Sequence, residues 1–162
     1  MGIVTLAALA PLFMGFIYYH PKVFGTAWMK VTGIKEEDRE QVNMAKIFIT
    51  TYILSFIACF FLFTLVVHQT DIYSLFANRE GFGEEGSEVM NTINNLMDQV
   101  GGWHRSFGHG MLHGSLVGFF IGLPILMING LFEMKSMKYG FINAGYWILT
   151  LGVSGGILCQ FA

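Results

Sequence analysis

Charge is what this chain has least of. Asp, Glu, Lys and Arg make up 12% of its 162 residues, against about 25% in a typical soluble domain, while hydrophobic residues reach 54%. Such a composition cannot clothe a water-facing surface, and the length suits one domain, residues 1–162. Basic residues are too few and too scattered to neutralise phosphates, and the net charge is −2, which sets nucleic acid aside. Cysteine is equally scarce. Cys59 and Cys159 both fall in apolar runs, where a thiol acts as a small hydrophobe, so no structural disulfide is expected.

Enzyme signatures are missing as well. The chain has no Gly-x-Ser-x-Gly elbow, no phosphate-binding glycine loop ending in Lys-Ser or Lys-Thr, and no pair of carboxylates on one apolar helix. A non-enzyme is therefore expected. No Asp, Glu, Lys or Arg lies deep in the apolar stretches, which argues against a cation pump or a carrier of charged substrates. Internal duplication is absent too, so an inverted-repeat transporter finds no support.

What remains is apolar sequence in lengths that suit a bilayer. Four stretches, near 1–19, 45–68, 107–131 and 138–161, approach the roughly 20 helical residues that cross a hydrocarbon core. The expected fold is all-α, an integral membrane four-helix bundle. The first stretch lacks a basic lead and a small-residue cleavage site, so it reads as a retained span.

Lys22, Lys30, Lys35, Arg39 and Lys46 crowd the connector 20–46, and Lys135 and Lys138 the turn 132–138, whereas the connector 69–106 is acidic with only Arg79 and Arg105. The positive-inside rule then places both termini outside the cytoplasm of a bacterial inner membrane. Tyr18, Tyr19, Trp28, Trp103 and Tyr139 near the span ends fit headgroup-level anchors.

The connectors carry short amphipathic helices. His20-Pro21 should stop the first helix, and Gly25 and Gly33 bracket an interfacial stretch holding Val23, Phe24, Trp28 and Met29. The charged run Lys35 to Glu40 is expected to begin the helix of the second span. In the acidic outer connector, Ser87 can cap a helix whose Val89, Ile93, Leu96 and Val100 recur at helical spacing, and Gly101-Gly102 can end it.

The third span carries an unbroken ladder, Gly110, Gly114, Gly118 and Gly122, and the fourth carries Gly145, Gly152 and Gly156 with Ala144 and Gly155 beside them. Such stripes are helix-packing faces in lipid, where backbones that approach closely gain dispersion contacts. Two such faces exceed one antiparallel contact, so one is expected between chains, in a homo-oligomer or against other membrane-protein subunits. Pro124 should kink the third span.

Chemistry concentrates on histidine. His109 and His113, four apart, share one helical face at the start of the third span, with His104 just before it. Imidazole suits zinc, copper or nickel, but two ligands are not a site, so no cofactor is expected and a transition metal is the alternative; further ligands would come from His20, His68, Glu84, Glu85, Glu88 or Asp98. The reading adopted is that these histidines hydrogen-bond between packed helices, with metal binding, or a proton relay or ligand contact, as alternatives. Among intramembrane polar residues, Asn129 and Asn143 flank the last hairpin at similar depth and read as a structural clasp, with a small-solute gate as the alternative.

Two stretches resemble a known family. One runs Phe16-Ile17-Tyr18-Tyr19-His20-Pro21-Lys22-Val23-Phe24-Gly25-Thr26-Ala27-Trp28-Met29; the other comprises Phe107-Gly108-His109-Gly110 with His113-Gly114, Leu131-Phe132-Glu133, and Ile142-Asn143-Ala144-Gly145-Tyr146-Trp147 with Gly155 and Gly156. Both are similar to the bacterial family called domain of unknown function 1761. The resemblance implies a small integral membrane protein of about four helices and supplies no catalytic or ligand residue. The expectation is a non-catalytic oligomeric or accessory component of a membrane assembly, with a channel or carrier for a small neutral solute, or a histidine-based metal-binding protein, as alternatives.

Overall fold

The computed structural model describes residues 1–35, 37, 38 and 42–162. Over these the chain is 78% helix and contains no strand. With so little charge, backbone polar groups must be satisfied within each segment, and the helix does this wherever water is missing.

In chain order the elements are α1 (Gly2–Ala7), α2 (Ala10–Tyr18), a π-turn (Pro21–Gly25), α3 (Thr26–Thr32), α4 (Met44–Val66), α5 (Gln69–Phe76) and α6 (Glu88–Val100). There follow α7 (Phe107–Val117), a second π-turn (Gly118–Gly122), α8 (Leu123–Phe132) and α9 (Met137–Phe161). Among the described residues three helices are long and apolar enough to cross a membrane: α4, the continuous run Phe107–Phe132, and α9.

The expected first span, 1–19, differs from one straight helix. It is broken between α1 and α2, and Gly2–Tyr18 meets Pro21–Thr32 at 58°. Pro11 has no N–H to give the Ala7 carbonyl, which would be its partner in a regular helix, and Ser154 Oγ of α9 donates to that carbonyl instead at 3.3 Å. Tyr146 Oη donates to the Pro11 carbonyl (2.8 Å) and Tyr18 Oη to the Ile142 carbonyl (2.9 Å), so α9 side chains and α2 are joined by buried hydrogen bonds. At the bend, His20 is extended (ψ 139°), as a residue before proline prefers. Gly25 then folds so tightly onto the Tyr19 carbonyl that a Cβ would overlap it.

α4 starts at Met44, later than the charged run would place it. Asn43 Oδ1 accepts from the Lys46 amide at 3.0 Å and caps the helix. Of the expected polar start, Glu36, Arg39 and Glu40 lie outside the described residues. The buried stripe of α4 is Ser55, Cys59, Leu62 and Val66, facing Val4, Ala7 and Ala8 of the first segment and Leu158 and Cys159 of α9.

α9 is the centre of the molecule. Its glycine face meets the ladder of the third span directly. A Cβ on Gly110 would overlap the Gly155 carbonyl, one on Gly114 the Leu151 carbonyl, and one on Gly118 would lie 2.6 Å from the Ile148 Cα. Reciprocally, Gly152 accommodates Ser115, and a Cβ on Gly156 would lie 2.6 Å from the ring of Phe107. A Cβ on Gly145 would lie 2.6 Å from the Tyr18 hydroxyl, and one on Gly122 would meet nothing within 4 Å. The two glycine faces expected to serve separate contacts are thus largely spent on each other, because small residues on both sides allow backbone-to-backbone approach. Met111 lines this contact beside Gly152, while Leu112 and Leu116 are exposed.

Pro124 sits in the first turn of α8, just past the π-turn Gly118–Gly122. The wider turn shifts the bonding register where proline's missing donor would otherwise leave a gap. In the acidic connector, Ser87 Oγ accepts from the Met90 amide at 3.1 Å and caps α6 as expected from the sequence. Ile93 is fully buried with Met97 beside it, while Leu96 turns outward.

Candidate metal-binding site

Short local signals place each imidazole. Ser106 Oγ accepts from the His109 amide at 3.3 Å, so the cap that starts α7 also fixes His109 in its first turn. His113 follows one turn later on the same face. His68 belongs to the two-residue link between α4 and α5, where the span ends and the chain turns. The packing of α4 and α7 on α9 brings that link over α7.

There the Nε2 atoms of His68 and His109 stand 3.0 Å apart. Two ring nitrogens at that distance share one hydrogen bond, one offering N–H and the other its lone pair. His113 joins them: one nitrogen from each of His68, His109 and His113 lies within 4.8 Å of the others. Ring centroids are 4.9 Å apart for His68 and His113 and 4.5 Å for His109 and His113. His104 stacks on His109 with centroids 4.7 Å apart and planes 26° from parallel. The first three are half-buried and His104 is exposed.

Three imidazoles whose nitrogens converge form a donor set for a borderline transition ion. Zinc holds imidazole nitrogen at about 2.0–2.1 Å, which sets tetrahedral donors about 3.3 Å apart, close to the His68–His109 separation. Among the described residues the group contains no Asp, Glu or Cys. Of the further ligands expected, His68 is brought in. Glu84, Glu85, Glu88 and Asp98 are not part of the group, and His20 instead uses Nδ1 to accept from the Lys22 amide.

The asparagines do not form one clasp. Asn143 Oδ1 accepts from both Tyr19 Oη and Trp28 Nε1, each at 3.1 Å, while its Nδ2 donates to the Tyr139 carbonyl. It ties the bend after α2 and helix α3 to α9. Asn129 lies on an exposed face of α8. Rings of Tyr18, Tyr19, Trp28 and Tyr146 gather around Asn143, so these aromatics are packed contacts and not only headgroup anchors.

An all-helical chain with three membrane-length apolar helices and a histidine group at one helix end defines a membrane protein class, not an activity. The chain belongs to the family described as a protein of unknown function (DUF1761), whose sequence model matches residues 3–159. That match runs through the acidic connector and covers nearly the whole chain. No curated protein and no solved structure matches it.

Proposed function

We propose that this is a polytopic membrane protein that binds one transition-metal ion through His68, His109 and His113. The observation that carries the reading is the convergence, within 4.8 Å, of three ring nitrogens from α7 and from the link that follows α4. Helix packing alone would be served by the His68–His109 hydrogen bond. Gathering His113, and stacking His104 beside them, concentrates imidazole beyond what that bond needs. Neutral imidazoles bind the ion without prior loss of a proton from a thiol, and the half-buried setting limits competition from water.

The reading is of binding, not turnover. It places the first stretch, 1–19, as a fourth crossing, with the basic connectors on the cytoplasmic side and both termini outside a bacterial inner membrane. The metal group then lies at the outer end of the spans. Isothermal titration of the detergent-solubilised protein with Zn²⁺ tests the reading. One equivalent per chain, lost in the His109→Ala and His113→Ala variants, supports it; wild-type protein that takes up no ion rejects it.

A second reading is an accessory or oligomeric component, and one observation favours it. Of Phe107–Phe132 only Gly110, Gly114, Gly118 and Gly130 are buried, so Leu112, Leu116, Phe119, Phe120, Ile121, Ile125 and Ile128 offer a broad apolar face to lipid or to another subunit. The two readings are compatible.

A further inference from the structure

We infer that His104 is a fourth ligand that closes the three-histidine group into a four-imidazole site. The inference rests on the metal reading of that group and specifies its coordination.

His104 occupies the turn between α6 and α7 with φ 59°, in the left-handed region that non-glycine residues enter rarely and at a cost of about 1 kcal/mol or more. Two glycines, Gly101 and Gly102, precede it in the same turn, so the chain has residues suited to unusual backbone close at hand, yet the left-handed position goes to a histidine. Two buried side chains from elsewhere hold the turn. Gln69 Nε2, at the start of α5, donates to the Trp103 carbonyl at 3.0 Å and reaches the Val100 carbonyl at 3.4 Å. Cys159 Sγ, near the end of α9, donates to the His104 carbonyl itself at 3.1 Å. The backbone on both sides of His104 is therefore fixed from α5 and from α9.

Fixed in this way, the ring lies 4.7 Å from that of His109, on the edge of the group. Between His104 and His68 is a cavity of about 290 Å³, also lined by Gln69, Ile72, Val100 and Trp103. It gives the His104 ring room to rotate about its side-chain bonds out of the stack and turn a nitrogen toward the ion. Gln69 and Cys159 are positioning residues in this account, acting through the backbone of the turn.

The consequence is functional. Closed four-ligand sites are structural or storage sites, whereas catalytic ions keep a position open for water or substrate. Four histidines would leave the ion no vacant position, in keeping with a binding protein.

Co²⁺ titration followed by visible absorption reads the coordination number, because tetrahedral Co²⁺ absorbs far more strongly than five- or six-coordinate Co²⁺. The informative variant is His104→Gly, since glycine suits φ 59° and removes the ring without straining the turn. Wild type should give an intense spectrum that azide does not alter. His104→Gly should bind the same single equivalent with water in the fourth position, so that its spectrum shifts on adding azide, and free imidazole should restore the azide-insensitive wild-type band. Gln69→Leu should make the band partly azide-sensitive without changing the stoichiometry. An identical, azide-insensitive spectrum in His104→Gly would overturn the fourth ligand and leave the triad standing; a wild type that binds no Co²⁺ would overturn the triad with it.

Discussion

The Nε2 atoms of His68 and His109 lie 3.0 Å apart although 41 residues separate them in the chain. Their meeting depends on α4 and α7 both packing on α9, and so on the glycine contact that lets α7 come close. Chemistry at the group and packing at the ladder are in this sense one structure.

Packing makes the first prediction. Gly114→Ala forces a methyl group into the Leu151 carbonyl and should destabilise the protein by about 1–3 kcal/mol, as overpacked sites do. Gly122→Ala meets nothing within 4 Å and should be neutral or stabilising by up to about 1 kcal/mol. Thermal unfolding in one detergent compares them. If Gly122→Leu instead dissociates an oligomer, the ladder continues into a neighbouring chain.

The aromatic network makes the second. Tyr146→Phe removes the buried donor to the Pro11 carbonyl and should cost about 1 kcal/mol. Asn143→Leu strands two donors at once, Tyr19 Oη and Trp28 Nε1, and should free α3 from α9. Limited proteolysis between Gly33 and Asn43 should then run faster than in the wild type, with tryptophan fluorescence shifted to longer wavelength.

Topology makes the third. Both native cysteines are buried and should resist a membrane-impermeant maleimide in the folded protein. Glu85→Cys should label from outside intact spheroplasts, and Lys138→Cys only after the membrane is opened. The reverse pattern would invert the orientation and move the histidine group to the cytoplasmic end.

Much of this was legible in the sequence, and the limits are physical. Apolar length located α4, α7–α8 and α9, and Ser87 announced its cap, because those signals are local. The spacing of His109 and His113 put both on one face for the same reason. What periodicity cannot show is which surface a face meets. The glycines of the third and fourth spans looked like two interfaces and are largely one, since a stripe of small residues carries no label for its partner. His68 was one candidate ligand among several, and only the tertiary contact of α4 and α7 with α9 singles it out. The bonds of Ser154 and Tyr146 to carbonyls near Pro11 likewise join positions more than 130 residues apart. Proline announces a missing donor but not the group that replaces it.

The metal content of protein purified from its native membrane, on an affinity tag free of histidine, tests the central claim most directly. The account predicts close to one transition-metal ion per chain in the wild type and almost none in a His68→Ala, His109→Ala, His113→Ala triple variant that elutes as the wild type does. Equal metal content in both, or a wild type that carries no ion and takes none up from added Zn²⁺, would contradict it.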